Sequence, residues 1–257
     1  MPSDVLLVVE GLRKCFGGVT AVAGLNFSVA EGQTFGLIGP NGSGKTTTIN
    51  IIMGQIAPDR GSVRLAGRNL VGLRPDQVCR EGVARTFQNL ELFPTLDLFD
   101  HALLGAHRHT RSSLAEGLFR MPRLRRDERD SRRRAVEALQ RFPERLTPDR
   151  WHDKAATLSY ANRRRLEIVR AMASEPRLLL LDEPTAGMNP HERLEMIGHL
   201  RDLQKEGVSM LIIEHAMEVV RALCSEVVVM DHGEVIGQGE PGEVVERPEI
   251  VEAYLGK

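Results

Sequence analysis

Cysteine is scarce in this chain of 257 residues. Cys15, Cys79 and Cys224 lie far apart and without CxxC spacing. That excludes a zinc ribbon or a disulfide framework and leaves neutral thiols in a reducing compartment. Long hydrophobic runs are missing as well; none approaches the ~20 apolar residues of a membrane-spanning helix. Neither sign of charge dominates: 34 Lys and Arg stand against 35 Asp and Glu, for a net charge of −1. Bulk charge therefore does not draw the protein to nucleic acid. The opening MPSDVLLVVEGLRK has a short apolar stretch with acids on both sides and does not read as a signal peptide. There is no internal repeat and no low-complexity tract. A hydrophobic content of 42% suffices for a sizeable core. These absences predict a single-domain cytoplasmic protein that can still dock on a membrane partner.

The pattern along the chain predicts an α/β architecture with a helical insertion. Strands are expected over Leu6–Val9, Gly24–Val29, Thr34–Ile38 and Ser62–Leu65, separated by punctuation such as Gly17-Gly18 and Glu31-Gly32. A helix over Thr46–Met53, closed by Gly54, interrupts them. From about Asn89 to Leu158 the pattern turns helical and strongly charged. The arginine-rich run Met121–Phe142 also carries Asp127, Glu128 and Asp130, and reads either as a solvated face or as a surface for acidic groups. Beyond it, Leu178–Leu181, Val208–Ile213 and Val227–Met230 suit buried parallel strands, and residues 231–234 a turn.

Two stretches carry chemistry. TFGLIGPNGSGKTTTINIIMG contains GxxxxGKT at Gly39–Thr46, after an apolar strand and before a helix. Gly39, Gly42 and Gly44 permit turns that side chains would block, so that backbone amides can cradle phosphate oxygens at a helix start. Lys45 would reach the β- and γ-phosphates, and the Thr46 hydroxyl would bind Mg²⁺. In Leu178–Glu183 four apolar residues end in two acids, at the strand edge where ligands gather in open α/β sheets. Asp182 would hold Mg²⁺ through its water shell, and Glu183 would polarise the attacking water.

A third stretch, LSYANRRRLEIVRAM (Leu158–Met172), reads as an amphipathic helix from Arg164, preceded by residues that favour a helix start. A free helix N-terminus with arginines in its first turn is expected to hold an anion.

Together these motifs closely resemble the ATPase subunits of ABC transporters, and the resemblance covers nearly the whole chain. GPNGSGKTT matches their Walker A, which implies nucleotide contacts from Gly39, Pro40, Asn41, Gly42, Ser43, Gly44, Lys45, Thr46 and Thr47. LLLLDEPTAGMNP matches Walker B, the catalytic glutamate and the D-loop. ARTFQNLELFPTL places Gln88 at the Q-loop glutamine, serving metal and catalysis, and LIIEHAMEVV places His215 at the switch histidine. LSYAN occupies the signature position. What the resemblance implies is a P-loop ATPase core with a mixed or parallel sheet and an antiparallel β subdomain (residues 1–88 and 159–257), with a helical subdomain inserted at 89–158. The cofactors would be ATP and Mg²⁺, and Phe16 would stack under adenine. Two such subunits would pair head to tail, homomeric or heteromeric. Ser159 and nearby amides such as that of Ala161 would close on an ATP held by the other copy, which supplies the anion for this helix.

The departures fall in the signature. Tyr160 matches the branched-chain amino-acid subgroup, whose signature is close to LAYGQ. Ala161 replaces a glycine there, and a positive φ at that place would cost ~1–2 kcal/mol. Asn162 replaces a longer glutamine. The result is expected to be a working or weakened site, or one tuned for a different partner. VEGLRKCFGGVTAVAGLNFSV, the arginine-rich insert and the ending PEIVEAYLGK resemble LivG-type ATPases of branched-chain amino-acid importers, whose relatives carry urea and short amides. That implies membrane permeases, an indirectly linked substrate-binding protein and a peripheral place on the inner face of the membrane. Cargo choice would lie with those partners. Leu90, Leu92 and Phe93 would meet the permease or pack within the insert. Asp100-His101, where relatives often show Glu-Asn, would alter that fit.

The alternatives are a regulatory nucleotide-binding module with weak catalysis and the ATPase of a lipid or lipopolysaccharide exporter. A DNA-repair ATPase would need a long coiled coil, and no sustained heptads occur. A GTPase would need an NKxD-like motif, which is missing.

Overall fold

The computed structural model describes residues 5–87, 91–109 and 122–255. Two sheets organise them. The first is antiparallel, in the order β2-β1-β4-β5, from β1 (Val5–Phe16), β2 (Val19–Ala30), β4 (Arg60–Leu65) and β5 (Arg68–Asn69). The second runs β10-β9-β3-β8-β7-β6, from β3 (Thr34–Ile38), β6 (Val83–Arg85), β7 (Leu178–Asp182), β8 (Ser209–Ile213), β9 (Glu226–Asp231) and β10 (Glu234–Gly239). Its strands are parallel except for the edge strand β10.

The four leucines of β7 show why this sheet forms. Successive side chains of a strand point to opposite faces. Leu179 and Leu181 enter a core with the helices α3 (Leu98–Ala106), α4 (Pro122–Leu139) and α5 (Tyr160–Met172). Leu178 and Leu180 enter a second core with α1 (Lys45–Ile52) and the antiparallel sheet. On β8, Met210 and Ile212 go one way, and Leu211 and Ile213 the other. Both faces are covered, so an unbroken apolar run is the stable choice.

The predicted strands are present and mostly longer. The hairpin β1–β2 is much longer than the fragments expected from Leu6 and Gly24. β6, β10 and the short helix α2 (Pro75–Glu81) were not expected. The charged insert supplies α3 and α4, followed by short turns of 3₁₀ helix rather than further α-helix. α5 begins at Tyr160, four residues earlier than predicted, because the Ser159 hydroxyl caps it. The remaining helices are α6 (Pro190–Lys205), α7 (Met217–Leu223), α8 (Pro241–Val244) and α9 (Pro248–Leu255).

The strand order positions the site. β8 lies between β3 and β7, and Ile213 at its end pairs with Leu37 on one side and Asp182 on the other. The carboxyl ends of three strands far apart in sequence therefore lie side by side.

Candidate functional site

The loop from β3 to α1 bends where only glycine fits. Gly39 has φ of 144° and Gly44 107°; a Cβ on the first would lie 2.0 Å from the Met230 carbonyl, and on the second 2.2 Å from that of Ala21. Gly44 also starts α1 with no side-chain cap, which leaves first-turn amides open to an anion. The Lys45 ammonium is buried and donates to the carbonyls of Gly39 and Pro40, both at 2.7 Å, and to Ser43 Oγ at 3.4 Å. Burial pushes its pKa below the ordinary lysine value, while the charges of Glu183 and Asp182 oppose that shift.

A cleft of about 250 Å³ gathers Asn41, Gly42, Ser43, Gly44, Lys45, Thr46 and Thr47 with Glu183 and His215. Glu183 Oε1 lies 3.2 Å from His215 Nε2. Glu183 takes the left-handed conformation (φ 49°), held by its amide on the Ile213 carbonyl at 2.9 Å. A residue strained in this way is held by its surroundings and is typical of functional sites. Asp182 does not line the cleft. It is buried at the end of β7, with Oδ2 accepting from Arg85 Nη2 at 2.8 Å. Pro40 borders a neighbouring cavity beside α9. Phe16 is 47% exposed, with Lys14 Nζ 5.3 Å from its ring centroid. It sits at the tip of the hairpin whose Ala21 borders the cleft. Gln88 and Leu90 lie outside the described residues.

The signature segment is built differently. Ser159 is exposed, and its Oγ accepts from the Asn162 amide at 3.3 Å. Neither Ser159 nor Ala161 lines the cleft of its own chain. Ala161 is buried within α5 and is not among the positive-φ residues, so the strain anticipated for alanine does not arise. The three arginines overturn one expectation. Arg163 donates to the carbonyls of Leu158 and Ala156. Arg164 is fully buried, paired with Glu167 at 2.8 Å and bonded to the carbonyls of Phe87 and Glu183. Arg165 bonds Glu195 and Asn162. All three serve the protein's own groups.

Sequence reasoning missed Glu214. Its buried carboxylate accepts from both the amide (3.0 Å) and the hydroxyl of Thr185, and from the amides of His215 (2.9 Å) and Ala216 (3.2 Å). It locks the segment after Glu183 to the segment carrying His215. An acid ending the apolar run SMLII was the available signal.

Leu92 packs on the helical core, whereas Phe93 is exposed. His101, expected at a partner surface, is instead buried. Its Nδ1 donates to the Asp97 carbonyl at 2.8 Å, and its Nε2 accepts from the Phe93 amide at 3.0 Å. That fixes the neutral tautomer, and burial lowers its pKa.

Residues 22–186 match the ABC transporter family. Across 257 residues the chain is 39% identical to the high-affinity branched-chain amino acid transport ATP-binding protein BraF of Pseudomonas aeruginosa, with 99% of each chain covered. The chain belongs to the ABC transporter family. This ABC ATPase is also 36% identical over 256 residues to the corresponding protein LivG of Escherichia coli (strain K12), again with 99% of each covered. Its fold matches the crystal structure of a nucleotide-free ATP-binding cassette from an ABC transporter. The TM-score is 0.84 at 29% identity, over 98% of this chain and 100% of that one. The ABC ATPase binds nucleotide and hydrolyses ATP as a component of a transporter. No helix among the described residues is long and apolar enough to cross a membrane.

Proposed function

We propose that this chain is the motor subunit of an importer for branched-chain amino acids or related small polar or amide solutes. In this reading, ATP is clamped between two ATPase subunits that face each other head to tail. One observation carries it: Glu183 and His215 meet the phosphate loop in one cleft, while Ser159 opens its helix start elsewhere. Each chain thus offers two half-sites that a second subunit can complete. The cargo class rests on the names of the relatives, BraF and LivG.

Lys45 would leave the carbonyls of Gly39 and Pro40 for the β- and γ-phosphates, and the loop amides would hold the remaining oxygens. Phe16 would stack on adenine. Thr46 and Asp182, with Gln88, would be the metal partners. A hydroxyl and a carboxylate are hard oxygen donors, and Mg²⁺ takes few protein ligands beside phosphate and water. Bound there, Mg²⁺ would neutralise charge on the phosphates. Glu183 would accept the proton of the attacking water, held in place by His215. Loss of the γ-phosphate would open the clamp, and exposed Phe93 belongs to the surface that passes the motion to a permease. The core with its β subdomain (1–88 and 159–257) would turn against the helical insertion (89–158).

The deciding experiment is Glu183→Gln. ATP turnover is expected to fall about 10²–10⁴-fold, with an ATP-bound dimer accumulating. Normal turnover in that variant would remove Glu183 as the base. Co-purification with two permeases and a second ATPase, and uptake of leucine or a short amide by the assembly, would test the cargo.

A further inference from the structure

Arg85 is a buried cation that the motifs above do not use. It ends β6, opposite Leu180 of β7, three residues before Gln88. Its side chain is 6% exposed and spans two parts of the site. Nη2 donates to Asp182 Oδ2 at 2.8 Å. Nη1 donates to Asn50 Oδ1 at 2.6 Å and to Gln55 Oε1 at 3.3 Å. The Phe87 ring, 5.3 Å from the guanidinium carbon, covers it. Asn50 is four residues after Thr46 on α1, and residues four apart share a helix face. One rigid fork thus joins the helix carrying Thr46 to the strand carrying Asp182.

A buried carboxylate without a partner is costly, and a guanidinium is the cation suited to fixing one in direction as well as charge. We propose that Arg85 is the positioning residue of the metal site, holding Asp182 aimed before nucleotide arrives and setting its spacing from Thr46 through Asn50. Oδ2 is committed to Arg85, so Oδ1 is the oxygen that would serve Mg²⁺. The proposal rests on the reading of Asp182 as the metal carboxylate, and the test separates the two.

The quantity to measure is the ratio of ATP dissociation constants in EDTA and in Mg²⁺, by calorimetry on the full chain. Asp182→Asn should bring that ratio close to one; an unchanged ratio there overturns the metal reading itself. Arg85→Met should lower the ratio about tenfold or more, as loss of an outer partner does at metal sites, while affinity in EDTA stays near the original. Asn50→Ala should lower it less. Arg85→Lys keeps the charge but loses the fork to Asn50, and should fall between wild type and Arg85→Met. If Arg85→Met does not fold, Arg85→Lys decides alone. If Asp182→Asn loses the Mg²⁺ dependence while the Arg85 variants keep it, the proposal is wrong. A second readout needs no nucleotide. Arg85→Met should lower the melting temperature, and R85M/D182N should recover most of the loss by removing the stranded charge. A double variant no more stable than Arg85→Met would overturn the pairing.

Discussion

In the proposed clamp the phosphate-loop cleft and the start of α5 would each meet an anion, but they are finished to different degrees. In the cleft, three strand ends bring the loop, Glu183 and His215 within reach of one another, and the buried Glu214 carboxylate locks two of those segments together. At α5 the cap Ser159 faces outward, and every arginine behind it is turned to the protein's own carbonyls and carboxylates. The first region is assembled within one chain. The second is a capped helix start presented at the surface. Under the proposed clamp, a second subunit would complete it.

The strongest way to break that contrast is to put a charge on the second region alone. Ser159→Glu sets a carboxylate against the incoming triphosphate, and turnover is expected to drop about 100-fold or more. ATP binding by the isolated chain should persist, because Ser159 does not line its own cleft. In a homomeric assembly, mixing Ser159→Glu with Lys45→Ala should restore part of the activity, since one composite site then has both intact halves. Loss of ATP binding by the isolated Ser159→Glu chain would place the serine in the cleft and end the comparison.

The cleft side has its own test in Glu214. A carboxylate accepts all four of its hydrogen bonds; the amide of Glu214→Gln would turn an NH₂ group toward N–H donors. Leaving such buried groups unsatisfied costs about 1–3 kcal/mol. Thermal stability should fall accordingly. Turnover should fall further than ATP affinity, because His215 loses its anchor while the phosphate loop keeps its shape.

The sequence made the cleft far more legible than its supports. Glycines that must take left-handed angles, a lysine, and a strand ending in two acids are local signals, and the structure brings most of them together. The buried charges were illegible for a physical reason. Arginines in a helix are usually solvated, so Arg163-Arg164-Arg165 read as an anion site. Only the fold shows Glu195 beside Arg165 and the Phe87 carbonyl beside Arg164. Arg85 was hidden in the same way, its partners Asn50 and Asp182 lying 35 and 97 residues away. Short elements were lost too. β6 has three residues, too few to show a period, and the expected surface position of His101 failed because its two ring partners come from loop backbone.

His101 sharpens the comparison from the helical side. Its pKa lies below the usual 6.5 because burial disfavours the charged ring. The unfolded chain therefore binds the proton more readily than the folded one. The stability that the neutral ring contributes is complete above about pH 6.5 and is lost as pH falls toward the lower folded value. His199, also depressed by burial, acts in the same direction. Melting followed from pH 8 to pH 5 should show this decline, and a His101→Asn variant should flatten part of it. Hydrogen exchange should place the weakening first at the Phe93 amide and α3, with the phosphate loop unaffected at that stage.

The smallest expected effect concerns the signature itself. Restoring glycine at position 161 would be the natural repair if alanine strained the helix start. Ala161 sits inside α5 with ordinary helical backbone and a buried methyl group. Glycine in a helix is less favourable than alanine by about 0.5–1 kcal/mol. Ala161→Gly should therefore lower the melting temperature slightly and leave dimer turnover close to its original value. The alanine amide remains in place at the helix start, so the anion loses nothing by the methyl group and gains nothing by its removal. A large rise in turnover would show instead that the methyl group stands between Ser159 and the triphosphate of the facing subunit, and that the second region is less complete than its scaffold indicates.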